Sequence, residues 1–324
     1  MKAIVYDSYG LPDVLRLEEV EQPIPDDDEV LVKIKAASIN SWDWDMLRGT
    51  RGFTRLSGFF KPRNSILGTD IAGVVETVGK SVTTLKPGDE VFGEVSKRFL
   101  SLGWGGFAEY VCAREQNMIL KPTNMTYEQA AAVPQAAALA LGGLRYNGQI
   151  RAGHKVLLNG AGGGVGTFAV QIAKSFGAEV TGVDSAEKLD MLRSIGTDHV
   201  IDYNKEDFTR NGQRYDLIID VHISRSITSH LRALNRGGAY CVIGGSQPLF
   251  FQHMFLGFGI SMFGNKKLGA VGAKPNEDLA FLLELFEAGK VVPIVDRTYP
   301  LSDVADAFRY FGEGHVKGKI VITM

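Results

Sequence analysis

The chain has 324 residues, with 35 Lys and Arg against 37 Asp and Glu, a formal charge of −2. That balance excludes the basic surplus of a nucleic-acid protein, and no run reaches the ~20 uninterrupted apolar residues of a membrane span. Length predicts about two domains, and the two cysteines, Cys112 and Cys241, cannot build a disulfide framework or a cysteine-rich zinc site. The 38 glycines point to many positions with positive φ or close backbone approach.

Met1 to Tyr6 run into a strand-like alternation with no apolar signal-peptide region, so a cytoplasmic protein is expected. The acidic run Asp26-Asp27-Asp28-Glu29 reads as a solvated turn. Residues 30–35 alternate with period two, and so do 91–94 after the turn at Lys86-Pro87-Gly88-Asp89. Near Ile150 the texture changes to alternating strands and helices. Residues 155–159 are a buried-strand run, and 165–176 carry apolar residues at helical spacing. A second strand is expected over 178–183, a helix over 186–195, and strands over 199–203, 215–221 and 239–243. This rhythm predicts an α/β fold with a doubly wound parallel sheet. A helix over 278–288 and a strand over 319–322 break it, and the rhythm does not say which domain the tail joins.

The sharpest motif is Asn159-Gly160-Ala161-Gly162-Gly163-Gly164-Val165-Gly166, between a strand and a helix. Glycines there let the backbone approach a pyrophosphate, and the helix N-terminus offers free N–H groups. No Lys-Ser/Thr follows, so it is not a nucleoside-triphosphate loop. Asp184, at the end of the second strand, suits the ribose hydroxyls of NAD. Ser185 and Lys188 instead suit a 2′-phosphate, although a lone lysine there is ordinarily a solvated helix charge.

The chain resembles the zinc-independent, quinone oxidoreductase-like branch of the medium-chain dehydrogenase/reductase superfamily. The resemblance rests on 68–75 (GTDIAGVV), 86–93 (KPGDEVFG), 105–110 (GGFAEY), 130–134 (AAAVP), the glycine loop and 314–319 (GHVKGK), in the family's order. It implies a GroES-like, partly open β-barrel catalytic domain over 1–120 and 274–324. A Rossmann domain over 121–273 is inserted between these, with the active site in the cleft and a homodimer or homotetramer joined through the Rossmann sheet edge. It also implies NADPH, with NADH as the alternative. Gly160, Gly163, Gly164, Val165 and Gly244 would line the cofactor, Ser185, Lys188 and Tyr203 its 2′-phosphate, and Lys319 its pyrophosphate.

Zinc relatives carry Gly-His-Glu where this chain has Gly68-Thr69-Asp70, and a cysteine ligand where it offers Ser38 or Ser41, so no zinc is expected. The histidines at 154, 199, 222, 230, 253 and 315 show no pair at ligand spacing. Without a Lewis acid an unactivated alcohol is hard to oxidise. Hydride transfer to an apolar quinone or α,β-unsaturated carbonyl needs only donors for the oxygen that gains charge. Asn40-Ser41-Trp42-Asp43 resembles the family's Asn-Pro-x-Asp element: Asn40 would contact the nicotinamide ribose or the substrate oxygen, and Asp43 would fix the loop or transfer a proton. Asp70 is a structural acceptor or a base. No tyrosine donor stands between Asn40 and Asp70, which leaves protonation to water. Relatives read Leu-Thr-Ala where this chain has Ala138-Leu139-Ala140. These departures keep open a nucleotide-binding sensor with little turnover, and a zinc-free alcohol dehydrogenase is the third reading. The aromatic stretch from Leu249 to Phe263 would wall a substrate pocket or pack as core or interface.

Overall fold

The computed structural model describes residues 1–50, 54, 58–95, 105–245, 247–271 and 278–324. In chain order, β1 (Lys2–Val5) pairs antiparallel with β2 (Arg16–Glu19). β3 (Glu29–Ser38) follows the acidic turn, which Glu29 closes from inside: it is 3% exposed, and its side chain accepts from Asp26 N. The alternation over 30–35 places Val30, Val32 and Ile34 in the core. α1 (Ser41–Arg48), β4 (Asp70–Val78), β5 (Glu90–Glu94), β6 (Tyr110–Arg114), β7 (Met118–Leu120) and α2 (Tyr127–Ala131) come next. The expected domain boundary at Leu120 stands at the end of β7, and the one at Ala273 lies outside the described residues.

Beyond α3 (Pro134–Leu141) the strand–helix alternation begins. It runs β8 (Lys155–Asn159), α4 (Gly164–Ser175), β9 (Glu179–Asp184), α5 (Leu189–Ser194), β10 (His199–Asp202), β11 (Tyr215–Asp220), α6 (Ile227–Ala233), β12 (Leu234–Val242), α7 (Gln247–Phe263) and β13 (Lys267–Ala270). The helix expected over 186–195 opens with a 3-10 turn, Ala186–Lys188, before α5. The strand expected over 239–243 starts earlier, at Leu234. The aromatic stretch is helical as α7: Leu249 and Phe250 pack on the core, while Phe255, Leu256 and Met262 are exposed. The side chains of Phe251, Met254, Phe258 and Phe263 lie outside what is described. α8 (Leu279–Glu287), β14 (Val295–Pro300), α9 (Val304–Gly312) and β15 (Lys319–Thr323) complete the chain.

The chain divides into two units: one of Met1–Gln135, Pro275–Leu283 and Pro293–Met324, the other of Ala136–Lys274 and Glu284–Val292. In the first, a seven-stranded sheet runs β14-β15-β3-β4-β5-β7, with β6 also on β3. The tail from Pro293 onward therefore returns to the first unit, while Glu284–Val292 stays with the second. β15 joins β3 antiparallel, with Val321 opposite Ser38, and Ser38 lies opposite Asp70 on β4. α9 presses Phe308 into the core, its ring 5.8 Å from that of Phe107. In the second unit a six-stranded parallel sheet runs β10-β9-β8-β11-β12-β13. Its order reverses beside β8, the switch point where open α/β sheets take ligands at their carboxyl ends. Among the described residues no helix is long and apolar enough to cross a membrane.

Candidate active site

In the second unit the glycine loop leaves the carboxyl end of β8. Gly160 has φ +80°, a left-handed value that glycine adopts without strain. At Gly166 a Cβ would stand 2.3 Å from Gly160 O and 2.5 Å from Ala161 O, so α4 can close on its own loop only with glycine there. Gly163 differs, because a Cβ there would meet no protein atom nearer than Gly160 O at 3.8 Å. Packing does not demand that glycine, and it leaves room for a ligand to approach the backbone. Gly163, Gly164 and Val165 are also the half-exposed part of the loop, at the helix end whose first amides have no intrahelical partner. These features fit a dinucleotide pyrophosphate.

Asp184 ends β9 and is occupied by the protein itself. Its Oδ2 accepts from Gly162 N at 2.7 Å, and Oδ1 accepts from Ser185 N at 2.9 Å. Lys188 Nζ lies 3.6 Å from Oδ1, and both side chains are under a tenth exposed. Lys188 is therefore not a solvated helix charge; its stem packs on the loop, within 2.8 Å of where a Gly162 Cβ would stand. Tyr203 is 51% exposed, and its N–H donates to Asp184 O. Gly244 follows β12, where its carbonyl accepts from Ile223 N. Every cofactor-side residue named from the sequence, apart from Asn40 and Lys319, stands at this carboxyl edge.

Asn40 and Lys319 stand in the first unit, in a buried polar cluster with Asp43, Thr69 and Asp70, each at most 6% exposed. The extended backbone of Asn40 starts α1, and its N–H donates to Asp43 Oδ2 at 2.8 Å. Asp43 Oδ1 accepts from Gly68 N at 3.1 Å, so one carboxylate ties the start of α1 to the segment leading into β4. Burial pushes the Asp43 carboxyl up to about 7, against the pull of those two N–H groups. Asn40 Nδ2 donates to Thr69 Oγ1 at 3.3 Å, and its Oδ1 accepts from the Lys319 ammonium. Lys319 Nζ is 4.0 Å from Asp70 Oδ2, which also accepts from Gln135 N at 3.1 Å. Burial raises Asp70 and lowers Lys319, each opposed mainly by the other's charge. Ser38 Oγ, on the same stretch of β3, is buried without a hydrogen-bond partner among the described residues.

Sequence reading missed a second buried group. Asp220, His230, Tyr240 and His253 meet in the second unit, with His230 Nδ1 3.2 Å from His253 Nε2. The two histidines share no sequence spacing; α6 and α7 bring them together. The only sequence signal was Asp220, at the end of a predicted strand. Among the described residues no cluster of three or more His, Cys, Asp or Glu could hold a metal ion.

A glycine loop at a parallel-sheet switch point, in a chain that also carries a β-rich unit with a buried Lys-Asn-Thr-Asp cluster, defines a dinucleotide-dependent oxidoreductase. The chain matches the family models of the alcohol dehydrogenase GroES-like domain, over residues 26–123, and of zinc-binding dehydrogenase, over 195–322. It is 36% identical to the 2-methylene-furan-3-one reductase of Solanum lycopersicum, across 99% of this chain and 79% of that protein. It is also 36% identical to the chloroplastic NADPH-dependent alkenal/one oxidoreductase of Arabidopsis thaliana, with the same shares covered. The quinone oxidoreductase structure from Coxiella burnetii superposes with a TM-score of 0.89 at 28% identity, over 100% of this chain and 99% of that one. The chain belongs to the medium-chain dehydrogenase/reductase superfamily, in its quinone oxidoreductase-like branch.

Proposed function

We propose that the protein is a metal-free, NADPH-preferring reductase that transfers hydride to quinones or α,β-unsaturated carbonyl compounds. Three similar proteins carry names of that chemistry: a furanone reductase, an alkenal/one oxidoreductase and a quinone oxidoreductase. The observation that carries the reading is the Lys319–Asn40–Thr69–Asp70 cluster. Thr and Asn are poor ligands for a borderline-soft dication, and the Lys319 ammonium already supplies the cation beside Asp70. Its charge opposes a metal there.

Gly160, Gly163, Gly164, Val165 and Gly244 would hold the dinucleotide, with Ser185, Lys188 and Tyr203 at its 2′-phosphate. Asp184 has both oxygens engaged by backbone N–H groups, which lowers its value as an acceptor for ribose hydroxyls and favours NADPH over NADH. When bound, NADPH supplies the hydride. The residues of the first unit then meet the charge that grows on the acceptor's oxygen. Lys319 draws electron density through the Asn40 carbonyl, which strengthens the amide N–H groups as donors. Asn40 is the donor we assign to that oxygen or to the nicotinamide ribose, and Asp43 holds the start of α1 in place. The substrate belongs to the domain of residues 1–120 and 274–324, the dinucleotide to that of 121–273. We further propose a homodimer or homotetramer joined through an edge of the second unit's sheet, which light scattering would test.

The deciding experiment is steady-state oxidation of NADPH and NADH with 1,4-benzoquinone, 9,10-phenanthrenequinone and an enone, with and without a zinc chelator. Quinone- or enone-dependent turnover that prefers NADPH and ignores the chelator is expected. NADPH binding without turnover across these acceptors would establish a sensor instead.

A further inference from the structure

The cluster that meets the charge on the acceptor's oxygen is short of donors. Asn40 commits its oxygen to the Lys319 ammonium and an N–H to Thr69 Oγ1 at 3.3 Å, so at most one of its two amide N–H groups is left. The Thr69 hydroxyl donates to Asp70 Oδ1 at 3.4 Å. Lys319 is 3% exposed and is held between Asn40 and Asp70. Sites where negative charge develops on an oxygen gather several preorganised donors around it. A single N–H is a sparse supply.

A further amide stands at the edge of this cluster. Asp70 Oδ2, 4.0 Å from Lys319 Nζ, also accepts from Gln135 N at 3.1 Å, which fixes the start of α3 on the same carboxylate. Along α3, Ala136, Ala137 and Ala140 are buried, whereas Gln135, Ala138 and Leu139 are half-buried. Spacings of three and four put those three on one face of the helix. Ala138 and Leu139 bring no polar side-chain atom, so Gln135 is the polar member of that face. Among the described residues its side-chain amide has no hydrogen-bond partner. An apolar stripe with one free amide matches a ligand that is apolar apart from one polar atom.

We propose that Gln135 contacts the substrate: its side-chain N–H groups donate to the carbonyl or quinone oxygen of the acceptor, as a second donor beside Asn40. A neutral amide suits the place. It adds donors without adding charge, so the buried Lys319–Asp70 pair stays balanced. The Asp70 bond to the Gln135 backbone sets where the side chain begins, and its two methylenes keep the amide near the cluster. This assignment deepens the reductase reading proposed above and rests on it.

The test compares full-length wild type with Gln135→Leu and Gln135→Glu in the reduction of 1,4-benzoquinone and benzalacetone by NADPH. Leucine removes the amide, while glutamate keeps its shape without its N–H groups. In both variants kcat/KM for the acceptor is expected to fall about 10- to 100-fold. NADPH Kd measured without acceptor should stay within about twofold of wild type. Tm should hardly move, because the side chain has no partner within the protein. Unchanged kcat/KM in both variants overturns the proposal. So does a loss matched by an equal rise in NADPH Kd, which would seat the amide on the nicotinamide instead. A wild type that reduces neither acceptor refutes the reductase reading, and a second measurement then judges Gln135. In it para-nitrophenol, whose phenolate oxygen carries the charge, is titrated into the protein with and without NADP+ at neutral pH. Affinity about tenfold weaker in Gln135→Leu than in wild type supports the oxygen site. Equal affinity, or no binding to wild type, overturns it.

Discussion

Lys319 and Asn40 lie 279 positions apart in the chain, yet the Lys319 ammonium donates to the Asn40 side-chain oxygen. The last strand makes that meeting possible. β15 adds to β3 with Val321 opposite Ser38, which sets Lys319 beside the residue that starts α1. The bond also fixes which way the Asn40 amide faces: its oxygen toward the cation and its Nδ2 toward Thr69.

Lys319→Met should therefore destabilise the protein strongly. It leaves the fully buried Asp70 without its cation, and removing one partner of a buried pair costs about 3–5 kcal/mol. Adding Asp70→Asn to that variant removes the stranded charge and should recover more than half of the loss. Urea denaturation of the two single variants and the double variant measures the coupling. Equal stability of Lys319→Met and wild type would show that Asp70 has no need of the ammonium.

Asn40→Ala should act on turnover more than on folding. Removing one preorganised donor from a site where negative charge develops costs about 100- to 1,000-fold in kcat. NADPH Kd measured in the absence of acceptor should change little if Asn40 serves the substrate oxygen, and should rise if it serves the ribose. A variant with full kcat/KM would remove Asn40 from the chemistry.

The strength of the sequence signal follows how local each feature is. The glycine loop and the parallel strands around it announce themselves over a few residues, because φ preferences and period-two alternation are short-range. β12 began five residues before its expected start because Leu234 to Gly238, with two glycines, do not alternate. α7 carried no amphipathic signal because its residues are apolar on all sides, so it could not be told from a core or interface run. The buried clusters were harder still. Asn40 and Asp70 were legible through the resemblance, whereas the Lys319–Asn40 bond depends on a β15–β3 register that no local pattern encodes. His230 and His253 looked like isolated histidines because only the docking of α6 and α7 joins them.

Glu115 gives a pH test of the first unit. Its Oε1 accepts from the Thr83 and Leu85 amides at 2.9 and 3.1 Å and from the Thr84 hydroxyl at 2.7 Å. These bonds, that of the Thr84 hydroxyl foremost, hold its carboxyl down to about 2. An unfolded Glu titrates near ~4.3, so the folded state binds this proton less readily. The stabilisation is full above that value and is lost as pH falls toward about 2. Glu115→Gln should lower Tm at neutral pH, and the gap to wild type should narrow steadily below about pH 4. A gap that stays constant down to strong acid would assign the loss to packing rather than to charge.

Substitution of Lys188 tests the choice between the two nicotinamide cofactors. It is 7% exposed and paired with Asp184, so its placement admits two roles: counterion to Asp184 or partner of a 2′-phosphate. The roles separate on substitution. Lys188→Ala leaves Asp184 held by the Gly162 and Ser185 amides, so the glycine loop should keep its shape. A lysine that binds the 2′-phosphate through charge-assisted hydrogen bonds is worth about 10- to 100-fold in affinity for NADPH and nothing for NADH. KM for NADPH is expected to rise by that factor, with KM for NADH within about threefold of wild type. An equal rise for both cofactors would mean that the lysine only neutralises Asp184, and the preference for NADPH would then have to come from Ser185 and Tyr203.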